Sequence, residues 1–151
     1  MTDKKSLAKS YFLQGYNCAQ AVCMAFAEEM HMDPETAARM VSAFGGGMGR
    51  MREVCGAVSG MFFVLGSLEG YSDPKEKDGK MALYKRVQEL ADEFQCRNGS
   101  IICRELLSGT ASRISDSPEP SARTEEYYKK RPCPEIVAEA ADILQKKVLE
   151  K

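Results

Sequence analysis

Apolar residues recur at intervals of three and four along most of this chain, with polar residues between them. This spacing places the apolar side chains on one face of an α-helix. Together with the residues that interrupt it, the spacing predicts helical segments over residues 4–14, 17–30, 33–45, 54–69, 73–95, 101–107 and 134–149. The predicted fold is all-α, a compact single-domain bundle of about five to six helices that spans residues 1–151.

Capping residues indicate where several of these helices begin. Asn17 is a residue type that favours the position before the first helical turn, and an apolar helical run follows it. Asp33 is such a residue too, and Pro34 after it suits the first turn, where a proline costs no hydrogen bond. Asp73 and Pro74 repeat the same signal before the longest predicted helix. Helices are therefore predicted to begin at these three points.

Two stretches are predicted as loops. Residues 45–49 contain four glycines, which cannot propagate a helix. This stretch lacks the GxxxxGK[ST] spacing of a phosphate-binding loop, and no strand precedes it. We interpret it as a turn whose glycines let the backbone pass close to a neighbouring site. Residues 109–131 are polar, with prolines and serines, and are predicted to form an exposed loop whose Lys129-Lys130-Arg131 run faces solvent.

Nothing in the chain indicates a β-sheet, because no stretch alternates apolar and polar residues and β-branched residues do not cluster. The helix predicted over residues 54–69 carries small side chains on one face, including Gly56, Ala57, Ser59 and Gly60. Such a face lets a neighbouring helix approach closely. We therefore expect this helix to be the most buried one of the bundle.

Charge and hydropathy exclude several classes of protein. The 151 residues include 21 lysines and arginines against 22 aspartates and glutamates, a net charge of −1. Without a broad positive field, no nucleic-acid partner is expected. The most apolar stretch, residues 54–68, is shorter than the roughly 20 residues that a membrane span needs. Since the N-terminal residues also lack the apolar core of a signal peptide, we expect a cytoplasmic protein without a membrane span.

Cysteine is the most prominent reactive residue type in the sequence. The chain has six cysteines but a single histidine, His31. In the cytoplasm thiols are kept reduced, so the cysteines favour metal ligation or redox chemistry over a disulfide framework. A single histidine excludes a site with two histidine ligands. The chain contains no CxxCH sequence, which excludes covalent attachment of a c-type haem.

Four of the cysteines fall near predicted helix starts. They are Cys18, Cys55, Cys103 and Cys133. The N-terminus of a helix presents unpaired N–H groups and about half a positive charge, which favours a thiolate over a thiol. Thiolates bind metals and act as nucleophiles. Arg50 and Arg52 lie five and three residues before Cys55 and are expected to lower its pKa further, which makes Cys55 the candidate catalytic nucleophile.

The remaining two cysteines, Cys23 and Cys96, are predicted to lie inside a helix and near the end of one. Residues 18 and 23 of a continuous helix point about 140° apart, so their side chains cannot readily enter the same site. Cysteine is also a small residue that is often buried for packing alone. We assign Cys23 and Cys96 to that structural role. No two of the other four cysteines have the short spacing of zinc-finger ligands, so the prediction of a site depends on all four together.

The chain resembles a family of redox-active proteins named for a cysteine, a CGAxxG motif and two further cysteines, relatives of a module in split-Soret cytochrome c. The matching segments are GYNCAQAV at 15–22, FGGGMGR at 44–50, CGAVSG at 55–60, GSIICRELL at 99–107 and CP at 133–134. The resemblance covers nearly the whole chain. It implies that the family's four cysteines correspond to Cys18, Cys55, Cys103 and Cys133, the set that the predicted helix starts select.

The resemblance implies redox activity and, as a cofactor, an iron–sulfur cluster. We therefore expect a small cytoplasmic redox protein in which Cys18, Cys55, Cys103 and Cys133 converge, either as cofactor- and metal-binding ligands or as a dithiol/disulfide relay led by Cys55. Two alternatives stay open: a structural zinc site and a helical protein-interaction module without catalysis. The expected partner is a redox protein, and a homodimer is compatible with the small-residue and methionine-rich helices.

Overall fold

The computed structural model describes residues 3–108 and 115–150, and within these ranges the chain is helical. The α-helices are α1 Lys4–Leu13, α2 Cys18–Ala25, α3 Pro34–Met40, α4 Gly56–Glu69, α5 Lys77–Asn98, α6 Cys103–Leu107, α7 Glu125–Lys130 and α8 Cys133–Leu144. A 3₁₀ turn, Ser42–Phe44, follows α3, and a π-helical turn, Gln145–Leu149, continues α8. The prediction of an all-α fold is confirmed. No helix in the described part of the chain is long and apolar enough to cross a bilayer.

The helix starts indicated by capping residues at Asn17 and Asp33 are confirmed. Asn17 and Gln20 form a reciprocal capping box, in which the N–H of each residue donates to the side-chain oxygen of the other at 3.0 and 2.9 Å. The Asp33 side chain accepts from the N–H of Thr36 at 2.9 Å. These interactions are local in sequence, which explains why the sequence pattern indicates them.

Other helix boundaries differ from the prediction. Helix α2 ends at Ala25 rather than near residue 30, because Phe26 leaves the helical conformation at φ −110° and ψ 13°. Val41 ends α3 in the same way, at φ −112° and ψ 11°. The carboxylate of Asp73 accepts from the N–H of Lys75 in a separate turn. Helix α5 therefore begins only at Lys77.

Helix α2 lies at the centre of the bundle. It packs against α1, α3, α4 and α8, while α5 covers α4 and α8. All of its residues except Cys18 and Gln20 are buried. The expectation that the helix over residues 54–69 is the most buried is therefore wrong, since α4 keeps several partly exposed positions. The largest fully buried side chains include Phe12, Phe26, Phe94, Met61, Leu65 and Leu90.

The small-residue face of α4 packs closely on α2, as predicted. A Cβ atom added at Gly56 would lie 3.2 Å from the backbone nitrogen of Ala19, and one at Gly60 would lie 3.1 Å from the Ala19 carbonyl oxygen. Both distances are shorter than an ordinary van der Waals contact. The two helices can therefore approach this closely only because these positions lack side chains.

The prediction of an exposed loop over residues 109–131 is wrong in part. Residues 109–114 lie outside the described ranges, but residues 125–130 form helix α7, which Thr124 caps through its side-chain oxygen. Arg123 ties this segment to the N-terminal part of the chain by donating to the carbonyl oxygens of Phe12 and Tyr16 at 3.0 and 2.9 Å. Its guanidinium also lies 4.2 Å from the centre of the Phe12 ring. The segment is thus held against the bundle by contacts that are distant in sequence.

Candidate functional site

The four cysteines selected from the sequence line a single cavity. Its volume is about 60 Å³ when measured by the positions open to the centre of a water molecule, and it is lined by Cys18, Cys55, Cys103 and Cys133. Cys18, Cys103 and Cys133 are the first residues of α2, α6 and α8, and Cys55 directly precedes α4. Four separate chain segments therefore deliver one thiol each to what we call the cysteine cavity.

The other two cysteines lie outside the cysteine cavity. Cys23 is fully buried in the core, where its thiol donates to the carbonyl oxygen of Gly60 at 3.5 Å. Cys96 is exposed on α5. The burial of Cys23 agrees with the packing role assigned to it from the sequence, whereas the exposed position of Cys96 does not.

A short antiparallel pairing brings Cys55 and Cys103 to the cavity. Val54 and Ile102 form an isolated β-bridge. Beside it, the N–H of Cys55 donates to the carbonyl oxygen of Ile101 at 2.8 Å, and the N–H of Cys103 donates to that of Glu53 at 2.6 Å. The starts of α4 and α6 are thereby fixed relative to one another by backbone hydrogen bonds. A pairing of so few residues leaves no alternating pattern by which it could be recognised in the sequence.

The glycine-rich segment passes directly beside the cavity in a left-handed backbone conformation. The φ angles of residues 46–50 lie between 59° and 72°, and that of Arg52 is 64°. A Cβ atom on Gly47 would lie 2.7 Å from the Cβ atom of Cys103. Left-handed backbone costs non-glycine residues such as Met48 and Arg50 roughly 1–2 kcal/mol each. The interpretation of this segment as a turn that lets the backbone pass close to the site is confirmed.

This left-handed segment directs its two arginines away from Cys55. The Nη1 of Arg52 donates to the sulfur of Cys103 at 3.6 Å, and its Nε donates to the Ser115 carbonyl oxygen at 2.9 Å. Arg50 donates instead to the carbonyl oxygen of Ser117 at 2.9 Å. Burial raises the pKa of Cys55 to about 12. The expectation that Arg50 and Arg52 lower the pKa of Cys55 is therefore wrong, and its assignment as nucleophile loses that support.

The thiols of Cys18 and Cys133 influence each other's ionisation across the cavity. The hydrogen bond from the Cys18 thiol favours the thiolate of Cys133 and lowers its pKa, and the positive charges of Arg131, Arg123 and Arg52 act in the same direction. The pKa of Cys18 is raised well above its ordinary value because Cys18 supplies the proton of this hydrogen bond and is buried. The state in which the two thiols share one proton is therefore favoured over the state in which both are deprotonated. The thiolate of the site is favoured at Cys133.

Three residues of the segment that was predicted to be an exposed loop complete the cysteine cavity. Arg123, Tyr127 and Arg131 all line it. Arg131 is half-buried and lies over the Tyr127 ring, with its guanidinium 5.1 Å from the ring centre. The interpretation of Arg131 as part of a solvent-facing run is thus wrong. The sequence signal for its position is its place two residues before Cys133, next to a pair of tyrosines.

The cavity offers sulfur as its metal-binding element, because no histidine, aspartate or glutamate among the described residues lines it. Within residues 3–108 and 115–150, no three cysteine, histidine, aspartate or glutamate side chains are grouped closely enough to hold one metal ion. The roles of the four cysteines as ligands or nucleophiles stay predictions.

Comparison with known proteins agrees with the resemblance noted in the sequence. No curated protein and no solved structure gives a significant match. Among models of protein families, the one described as "Putative redox-active protein (C_GCAxxG_C_C)" matches residues 16–147. In this chain the central motif reads Cys55-Gly56-Ala57, with cysteine before glycine. Since the match spans most of the chain and includes all four cysteines of the cavity, the protein belongs to the C_GCAxxG_C_C family of redox-active proteins.

Proposed function

We propose that this redox protein exchanges electrons through the cysteine cavity, where Cys18, Cys55, Cys103 and Cys133 hold an iron–sulfur cluster as thiolates. The observation that carries the proposal is that four helix starts, far apart in sequence, each place one cysteine on the same cavity. The remaining two cysteines lie elsewhere. A set of four thiolates is the usual ligand set of such clusters, and a bound cluster would supply one-electron transfer.

The charges around the cavity support this ligand set. Four thiolates in one place repel each other strongly unless positive charges offset them. Arg52, Arg123 and Arg131 line the cavity, and no carboxylate from the described ranges does. Backbone N–H groups at the helix starts can also donate to the ligand sulfurs, an interaction that raises the reduction potential of such centres.

The spacing of the thiols favours a cluster over a single zinc ion. Four sulfurs bound to one zinc lie about 2.3 Å from the metal, so the thiols would have to gather around one point. In the described part of the chain, the cysteines surround a cavity and no three of them form such a group. A cluster with more than one iron spreads its ligands more widely. Structural zinc binding is therefore the less favoured alternative.

A second candidate function is a dithiol/disulfide couple, and the contact between Cys18 and Cys133 favours it. In this reaction the Cys133 thiolate attacks a disulfide of the oxidised partner and releases one partner thiolate. Cys18 then attacks the mixed disulfide, which leaves a Cys18–Cys133 disulfide and two reduced partner thiols. The two protein thiols give up two electrons and two protons in total. The partner disulfide accepts these electrons and protons.

Anaerobic purification tests the cluster directly. Iron, acid-labile sulfide and zinc are assayed, and the visible spectrum is recorded. We expect iron and sulfide in whole-number ratios to protein, with visible absorption that is lost in Cys55→Ser and Cys103→Ser. Cys23→Ser and Cys96→Ser are the matched controls and should keep the absorption. Bound zinc without colour would support the structural alternative and contradict the cluster.

Titration with oxidised glutathione, followed by peptide mapping, tests the second candidate. The dithiol mechanism predicts that metal-free protein forms a Cys18–Cys133 disulfide before any other, with the reaction rate reduced in Cys133→Ser. Cys96→Ser serves as the control for an exposed thiol outside the site. Random pairing, or oxidation of Cys96 alone, would count against a dithiol couple.

The compartment and the partner belong to the same proposal. Six free thiols suit the reducing cytoplasm, where we place the protein. In both versions of the chemistry the electrons pass to or from a redox partner protein. Chemical cross-linking during turnover, followed by mass spectrometry, would identify the residues that the partner contacts.

A further inference from the structure

A second cavity lies beside the cysteine cavity and is lined by four arginines. Its volume is about 250 Å³ by the same measure, and the arginines are Arg50, Arg52, Arg123 and Arg131. Among the residues that the structure describes, no aspartate or glutamate lines it. Arg52, Arg123 and Arg131 also line the cysteine cavity, whereas Arg50 lines only this second one. We call it the arginine cavity.

The four guanidinium groups lack the carboxylate partners that Arg86 and Arg97 have. Arg86 pairs with Glu69 and Glu89, and Arg97 pairs with three carboxylates. In the described part of the protein, Arg50, Arg52, Arg123 and Arg131 take part in no such salt bridge. The contrast distinguishes these four from arginines that serve a structural ion pair.

Uncharged groups hold three of these arginines in place instead. Arg50 donates to the carbonyl oxygen of Ser117 at 2.9 Å and to the Ser121 hydroxyl at 3.2 Å. Arg52 and Arg123 donate mainly to backbone carbonyl oxygens. Such contacts fix the direction of a guanidinium but leave its positive charge without a full counter-charge.

The positive charge of this cavity is concentrated and poorly compensated. Arg52 is only 4% exposed, so its charge is largely withdrawn from water. The pKa of Arg50 is lowered by burial and by repulsion from Arg52 and Arg131, and Glu119 offsets this only in part. Buried charges in proteins are usually paired. The buried Arg52, together with the partly buried Arg50, Arg123 and Arg131, therefore favours an anion in this cavity in addition to the thiolates of the cysteine cavity.

The backbone beneath these arginines is itself strained. Arg50 and Arg52 adopt φ angles of 68° and 64°, which L residues with side chains rarely adopt. Strain of this kind persists where the surrounding structure imposes it, and it is common at ligand-binding sites. In this conformation both side chains line the arginine cavity, and Arg52 also reaches Cys103.

We propose that the arginine cavity binds a small anion that carries two negative charges on phosphate, sulfate or carboxylate oxygens. Planar guanidinium groups match these oxygens with paired hydrogen bonds. Four cations around one cavity favour a divalent anion over a monovalent one, and the volume admits a small molecule. The binding of such an anion goes beyond the proposed redox function and does not depend on it.

Isothermal titration calorimetry of the reduced protein tests this proposal. Sodium phosphate, sulfate and malonate are titrated separately, and sodium chloride at matched ionic strength is the reference. We expect saturable binding of one divalent anion per chain. Stronger binding of malonate than of phosphate and sulfate would identify a dicarboxylate as the ligand class, and the reverse order would identify a tetrahedral oxoanion.

Variants of Arg50 change the charge of the arginine cavity without changing a residue that lines the cysteine cavity. Arg50→Gln should weaken binding at least tenfold, and Arg50→Lys, which keeps the charge but loses the planar pair of donors, should weaken it less than Arg50→Gln does. Arg39→Gln removes an exposed arginine from α3 and is the matched control with unchanged affinity. Heat effects equal to those of chloride, or an Arg50→Gln affinity equal to that of the wild type, would overturn the proposal. The metal assays and disulfide mapping are separate measurements, so failure of the redox proposal would be recognised independently.

Discussion

Arg52 donates a hydrogen bond to the sulfur of Cys103 at 3.6 Å, although Cys55 is much nearer to it in the sequence. The left-handed backbone at Arg52 turns its side chain towards the start of α6. Two opposing effects therefore act on Cys103. Burial raises its pKa, and the hydrogen bond and charge of Arg52 lower it.

Replacing Arg52 by methionine should slow alkylation of Cys103. The substitution removes the donor that favours the thiolate, so the pKa of Cys103 rises and less thiolate is present at a given pH below that pKa. We expect the rate with iodoacetamide at pH 8 to fall by roughly threefold to tenfold. Peptide mass spectrometry follows each site separately, and exposed Cys96 is the internal reference. An unchanged Cys103 rate, with Cys96 also unchanged, would show that Arg52 does not control this thiol.

Substitution of Gly47 should be more damaging than substitution of Gly49. Both glycines have positive φ, 72° and 59°, so alanine at either position carries a left-handed cost of about 1–2 kcal/mol. At Gly47, however, the new methyl group would also lie 2.7 Å from Cys103, whereas at Gly49 its nearest neighbour is 3.8 Å away. Urea denaturation should show Gly47→Ala to be less stable than Gly49→Ala by more than about 1 kcal/mol. Equal stability would mean that the segment can move away from Cys103 at little cost.

Two glycines of α4 should respond to alanine in opposite directions. A methyl group on Gly60 would lie 3.1 Å from the Ala19 carbonyl oxygen and 3.2 Å from Val22, so Gly60→Ala should separate α4 from α2 and destabilise the fold by about 1–3 kcal/mol. Gly66 has no neighbour within 4 Å of the same position. Gly66→Ala should therefore stabilise the protein by about 0.5–1 kcal/mol through helix propensity.

Thermal unfolding of the two variants checks both signs. A Gly60→Ala protein as stable as the wild type would show that the contact between α2 and α4 is not close-packed. A loss of stability in Gly66→Ala would show that this part of α4 is more crowded than its open surroundings indicate.

Stability should fall in alkaline solution because buried thiols resist ionisation. Burial raises the pKa of Cys23 from 9.0 to about 12 in the folded protein. The unfolded chain therefore releases this proton first, so the contribution is fully present below pH 9 and is lost as the pH rises towards 12. Cys23→Ala should reduce the slope of unfolding free energy against pH in this window by about 1 kcal/mol per pH unit.

The control for this pH effect is Cys96→Ala, which removes an exposed thiol. Its stability should follow the wild-type curve between pH 9 and 12. Denaturant unfolding at several pH values gives the free energies. If Cys23→Ala and Cys96→Ala have the same slope, ionisation of Cys23 does not contribute to the alkaline loss.

The features that the sequence predicted correctly depend on local interactions. The capping box of Asn17 and the cap at Asp33 involve residues three positions apart, and their residue types alone indicate them. All four cysteines lie at helix starts, as the sequence indicated, although only the start at Cys18 has a side-chain cap. Family resemblance then supplied the same set.

The features that the sequence did not reveal depend on contacts distant in sequence. Arg123 binds carbonyl oxygens of Phe12 and Tyr16, more than a hundred positions away, and this contact brings the segment around α7 onto the cavity. The direction of Arg52 depends on backbone angles that a sequence of arginines and glycines permits but does not require. Because Arg52 is close to Cys55 in the sequence, the sequence indicated an effect of Arg52 on Cys55. In the fold, Arg52 instead contacts the sulfur of Cys103.

The left-handed segment over residues 46–52 limits how this family can vary in length. In most proteins a glycine-rich connection tolerates insertions and deletions. Here the N–H groups of Arg52 and Glu53 donate back to the carbonyl oxygens of Gly46 and Gly47, so the segment closes on itself before it reaches Cys55. One added or missing residue would change the direction of the later side chains of this segment. It would thereby move Arg52 away from the sulfur of Cys103. Natural variation in loop length should therefore occur elsewhere, and this short connection should keep its number of residues.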